Sequence, residues 1–175
     1  MNLSLPRHIA LSLTAVAFVL ASCEAAGTLA GGGPQSKYLV ARQALETGNY
    51  DLAIRNYAGL MQSHNATSAA RLQLEYAHAL LRGDRLDEAV AAADVLVNSQ
   101  DGSIRASALA VRGTARHETA RQQMDAGQAG PQTRVLLEAA AADLATFLRQ
   151  NAALDTGGSM RARAELIASD LRALG

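Results

Sequence analysis

Apolar residues recur every three or four positions through most of this chain, and glycine, asparagine or proline separates the runs. That spacing lines one face of a helix, and such residues punctuate the elements. From residue 36 onward the pattern predicts helices at about 36–47, 51–64, 67–82, 86–98, 103–125, 132–150 and 160–174. No stretch alternates apolar and polar residues over strand length, so the expected fold class is all-α. The last helix repeats Met160, Ala164, Ile167, Leu171 and Leu174 on one face, while Arg161, Arg163, Asp170 and Arg172 point elsewhere. Ser159 is its expected N-cap. A half-apolar terminal helix of this kind is suited to covering the open end of a helical stack.

The amino end follows a different pattern. Ile9 to Ala21 is apolar on every side, follows Arg7 and His8, and is shorter than the roughly 20 residues a membrane span needs. A positive start, a short apolar run and small residues after it describe a secretory signal, here residues 1–22. Leu20-Ala21-Ser22-Cys23 resembles the lipobox of bacterial lipoproteins, in which an aliphatic residue and two small ones precede a cysteine. The resemblance implies a diacylglyceryl group on the Cys23 thiol, cleavage before it, and acylation of the new amine. Each buried methylene of such chains contributes about 0.8 kcal/mol, and two or more chains anchor stably. Glu24 follows the cysteine where an aspartate favours inner-membrane retention in that family. The expected location is therefore the outer membrane, facing the periplasm. Residues 23–36, rich in glycine up to Gly33-Pro34, read as the lipidated cysteine and a flexible tether spanning roughly 20 Å.

Within 37–175 the helices repeat as pairs. Ala41 precedes the turn Gly48-Asn49-Tyr50 and Ala53 follows it; Ala77 precedes Gly83-Asp84-Arg85-Leu86 and Ala89 follows it. Both alanine pairs are 12 apart (53 − 41 and 89 − 77), and the units are offset by 36 (89 − 53). Two helices joined by a tight turn pack closely only where the facing side chains are small, and a turn glycine admits the left-handed conformation that ends the first helix. Tyr50, Tyr57, Tyr76, Leu80, Leu86 and Leu96 are the larger fillers. These residues resemble the tetratricopeptide repeat (TPR), whose helix pairs stack with a period near 34. The resemblance implies a short α-solenoid of antiparallel pairs, with units at about 37–65, 66–100 and 101–151 and a capping helix at 159–174. Unit three departs from the pattern. Gly113 lies 36 beyond Ala77, but its helix is long, and Ala126 to Pro131 reads as a loop rather than a tight turn. If Ala140 fills the small slot, the insertion is 15 residues, since 140 − 113 is 27 rather than 12.

Charge and chemistry narrow the role. The 16 basic and 16 acidic residues cancel, and losing Arg7 with the signal leaves 15 − 16 = −1, so nothing favours a phosphate backbone. Aromatic residues are 3% of the chain and tryptophan is absent, which gives no platform for stacking bases. There is no GxSxG, HExxH or phosphate loop, and the glycine run joins no strand to a helix. No cofactor, metal or small-molecule substrate is expected, and the chain does not read as an enzyme. A metal-dependent enzyme would have to use the scattered His64, His78 and His117.

What remains is a binding surface. In the TPR family the first helix of each pair lines the concave side. That projection selects Gln35, Tyr38, Arg42 and Leu45, then Arg71, Leu74, His78, Leu81 and Arg82, then Ser107, Thr114 and His117. Arginine mixed with leucine and tyrosine suits an acidic, partly apolar segment of a protein partner. The architecture resembles lipid-anchored repeat proteins that assist envelope machines, the TadD-type component of tight-adherence pili and secretin pilotins among them. The expectation is a scaffold in pilus or secretion assembly. The alternative is an adaptor that recruits a cell-wall hydrolase or protease.

Overall fold

A computed structural model describes residues 33–62 and 66–175. The expected signal at 1–22, Cys23, the expected tether up to Gly32, and His64 lie outside the described residues. Within them the chain is all-helical, with seven α-helices: α1 (Pro34–Glu46), α2 (Tyr50–Met61), α3 (Ala66–Arg82), α4 (Leu86–Ser99), α5 (Gly102–Asp125), α6 (Pro131–Asn151) and α7 (Ser159–Ala173). Each packs on the next, and α3 also meets α5, as α5 meets α7. The predicted boundaries hold to within a few residues. At the start, however, Pro34 and Ser36 belong to α1 rather than to a tether. Proline loses no hydrogen bond in a first helical turn.

Three turns share one hydrogen-bond pattern. The Asn49 amide donates to the Ala44 carbonyl at 2.8 Å, Arg85 to Leu80 at 2.9 Å, and Gln128 to Gln123 at 2.8 Å. The residue before each donor has positive φ: Gly48 at 82°, Asp84 at 58° and Gly127 at 68°. This is the six-to-one closure that ends a helix through one left-handed residue. In the second turn that residue is Asp84, not the glycine. Gly83 serves close approach instead, since a Cβ there would lie 3.2 Å from Tyr50 Cβ and 3.3 Å from Ile54 Cδ1.

The third turn corrects the expectation of a plain loop. It opens as the other two do and only then adds Ala129 and Gly130 before Pro131. The elaboration lies mostly in the helix. The left-handed residues are 36 apart, then 43 (84 − 48 and 127 − 84), and seven extra residues are about two helical turns.

Small residues mark the crossings. Ala41, Ala53, Ala77 and Ala89 are completely buried. Counted from the turn, the third member is Ala120, because 48 − 41, 84 − 77 and 127 − 120 all equal 7. Ala120 is completely buried with Ala140, Leu137, Leu144 and Ile167 in a small cluster joining α5, α6 and α7. Gly113 sits two turns earlier, where a Cβ would lie 3.0 Å from Leu144 Cδ2. The larger core runs from α1 through α6.

The α7 start differs from the expectation. Gly158, with φ of 69°, is the N-cap and Ser159 is the first helical residue. The Asp155 carboxylate does the capping, accepting from the Met160 amide at 3.0 Å and the Arg161 amide at 3.1 Å. Those bonds hold its pKa below the ordinary value. Asp170, expected on the outer face, is buried against α5.

Candidate functional site

The period of α1 places Tyr38, Arg42 and Glu46 in one row, and that of α3 places Arg71, Glu75, His78 and Arg82 in another. Between the two helices lies a cavity of about 420 Å³, lined by Arg42, Leu45, Glu46, Leu74, Glu75, His78 and Arg82. Five of these were selected from the sequence. Glu46 and Glu75 were not, although each is one turn from a selected arginine.

Those two carboxylates change the electrostatics. Arg42 Nε donates to Glu46 at 2.9 Å and its Nη1 to Glu75 at 3.1 Å, so one guanidinium bridges the cavity. The Glu46 hydrogen bond, then the Glu75 charge, raises the Arg42 pKa further above its ordinary range. Arg82 reaches the Tyr50 hydroxyl at 3.1 Å, and its guanidinium carbon lies 5.5 Å from that ring's centroid. Half-buried His78 makes no hydrogen bond among the described residues. Burial lowers its pKa, with Glu75 opposing, so the imidazole is neutral near neutral pH.

The other selected residues lie elsewhere. Tyr38 packs edge-on against Tyr57, centroids 6.2 Å apart, and Leu81 packs on the main core. Gln35 and Arg71 are exposed beyond the cavity, and Ser107 is half-buried on α5. Tyr57 is completely buried, and its hydroxyl has no hydrogen-bond partner among the described residues. Burial and the neighbouring Glu75 push that hydroxyl's pKa up.

Thr114 and His117 correct the expectation of a continuous strip. Both are buried, His117 at only 3% exposure, and α7 packs on α5 at His117. His117 Nε2 donates to Asp170 at 2.9 Å, and its Nδ1 accepts from Arg163 at 3.2 Å. Arg163 also holds Glu118 at 2.6 Å, and Arg121 holds Asp170 at 3.2 Å. A second network joins α4, α5 and α6, where buried Asp143 accepts from Arg112 and Arg116 while Arg112 also reaches Asp94. These contacts clamp helices together, and their donors and acceptors are spent on one another.

No group of three metal-ligating side chains is gathered among the described residues. No helix among them is long and apolar enough to cross a membrane. No protein-family model, curated protein or solved structure matches the chain.

Proposed function

We propose that this protein is a lipid-anchored scaffold of the bacterial envelope, a short TPR-like stack whose α1–α3 cavity takes a segment of a protein partner during assembly of a pilus or secretion machine. The observation that carries the reading is the cavity itself, open between the first helices of two successive pairs and walled by Leu45 and Leu74. The stack is supported by three turns of one geometry, by buried small residues seven before each, and by contacts of α3 with α5 and α5 with α7. The anchor rests on the sequence around Cys23. A TadD-type or pilotin-like role is the specific form of the proposal.

Crosslinked capture from intact envelopes tests it, comparing the native chain with Leu45→Arg/Leu74→Arg. The expected result is recovery of a secretin or pilus ATPase complex, lost in the double variant. Recovery of cell-wall hydrolases or proteases with the same dependence would favour the adaptor role, and recovery unaffected by the double variant would remove the cavity from the account. Cys23→Ala should abolish palmitate labelling and membrane fractionation; unchanged labelling rules out the lipid anchor.

A further inference from the structure

The charges around the α1–α3 cavity already answer one another. Two guanidiniums, Arg42 and Arg82, face two carboxylates, Glu46 and Glu75, so the lining sums to 2 − 2 = 0. Arg42 is committed to both carboxylates, and Arg82 to the hydroxyl and face of Tyr50. An acidic segment could pair with Arg42 only by displacing Glu75, whose side chain is 14% exposed and would then face it as a like charge. A basic segment would meet Arg42 in the same way. Charge complementarity therefore favours an occupant that brings no net charge.

Two kinds of group in the lining can still meet an occupant. Leu45 and Leu74, half-buried against the main core, offer their remaining apolar surface to the cavity. His78 offers a neutral imidazole, with one ring N–H to donate and one ring nitrogen to accept. An amide or hydroxyl has the same dual character. Resting on the reading above, we propose that the cavity takes an uncharged polypeptide segment presenting a leucine-sized side chain beside an amide or hydroxyl group, and that His78 is the residue that recognises that polar group. This replaces the acidic partner that the arginines suggested in the sequence.

The test uses the full-length chain and three labelled libraries of short peptides. One is built from Leu, Ile and Val with Asn, Gln, Ser and Thr; the second substitutes Asp and Glu for the polar residues, and the third Lys and Arg. The uncharged library should bind best, with little change between low and high salt. His78→Leu should weaken that binding about five- to tenfold, the worth of one lost hydrogen bond, while His78→Asn retains most of it. Helical circular dichroism of both variants checks that they fold. Preference for the acidic or basic library, lost in high salt, would overturn this inference and leave the cavity reading standing. Uncharged-library binding unaffected by His78→Leu would overturn the role of His78. Binding by no library, or binding that survives Leu45→Arg, would sink the inference and the cavity reading together.

Discussion

The inner face between α1 and α3 and the inner face between α5 and α7 use similar residues to opposite ends. Each carries arginines, carboxylates and one histidine. At the first, Arg42 is 45% exposed and His78 makes no hydrogen bond among the described residues, so the charges balance around open space. At the second, His117 and Asp170 are almost fully buried, and both histidine nitrogens are engaged. The difference comes from spacing between helices. Contact between α5 and α7 engages these groups with one another, whereas α1 and α3 flank a cavity. Helix–helix closure turns an open charged face into a fastening, and composition alone does not say which one a residue joins.

The largest expected effect breaks the other buried network, the one that joins α4, α5 and α6. Asp143 has only 5% of its side chain exposed and neutralises Arg112 and Arg116. Burial opposes the charge on Arg112, but its hydrogen bonds to Asp143 and Asp94 outweigh this and raise its pKa. Asp143→Ala leaves two partly buried guanidiniums short of a partner, which should cost about 3 kcal/mol. Denaturant midpoints measure it. Glu75→Gln, at the open face, removes one arm of a bridge whose guanidinium stays partnered by Glu46 and should cost under about 1 kcal/mol. Equal losses would erase the distinction between a buried ion network and the open α1–α3 face.

The next effect tests the crossings. Ala89 is completely buried where α4 packs on α3, and Ala120 is completely buried seven residues before its own turn, the place that Ala77 holds in the second pair. Ala89→Leu and Ala120→Leu should each destabilise by about 1–3 kcal/mol through overpacking. A melting temperature unchanged by Ala120→Leu would show that counting from the turn misplaces the third crossing.

Helices and turns were legible because their determinants are local. Pro34, Asn49 and Pro131 sit in or beside first turns, and the apolar period carries the rest. Ala120 does not lie 36 residues beyond Ala77, because the α5 insertion lengthens that interval, and it aligns only with the turn that follows it. The left-handed residue Asp84 aligns with Gly48 at the same interval, yet adjacent Gly83 drew attention by its residue type. Glu46 and Glu75 were readable from helical spacing but carried no apolar signal. His117 was not legible. Its burial depends on Asp170, 53 residues away, and so on a tertiary contact that no local pattern encodes.

A smaller effect lies beneath the open face. The Tyr57 ring fills the core between α1 and α2, but its hydroxyl is buried without a hydrogen-bond partner among the described residues. Leaving a buried donor unsatisfied costs about 1–3 kcal/mol. Tyr57→Phe keeps the ring and removes the donor, so it should raise stability by about 1 kcal/mol. A loss of stability on removing the hydroxyl would mean that it has a hydrogen-bond partner in solution.

The smallest effect is a slope with pH. Burial lowers the folded-state pKa of His78 from its ordinary 6.5, with Glu75 opposing and Arg82 and Arg42 reinforcing the shift. The unfolded chain therefore takes up the proton first as pH falls below that value, and stability declines until the folded state is protonated as well. Above about pH 7 the contribution is complete and flat. One whole proton sets a ceiling of about 1.4 kcal/mol per pH unit, and a half-buried ring should fall well below it. The difference between the native chain and His78→Leu, followed by denaturation from pH 7 to 5, isolates this residue from other titrating groups. The native chain should lose stability relative to the variant across that window. A difference that stays constant would mean that water or counter-ions solvate His78 fully in the folded state, and the cavity would then lack the dry wall that distinguishes it from ordinary surface.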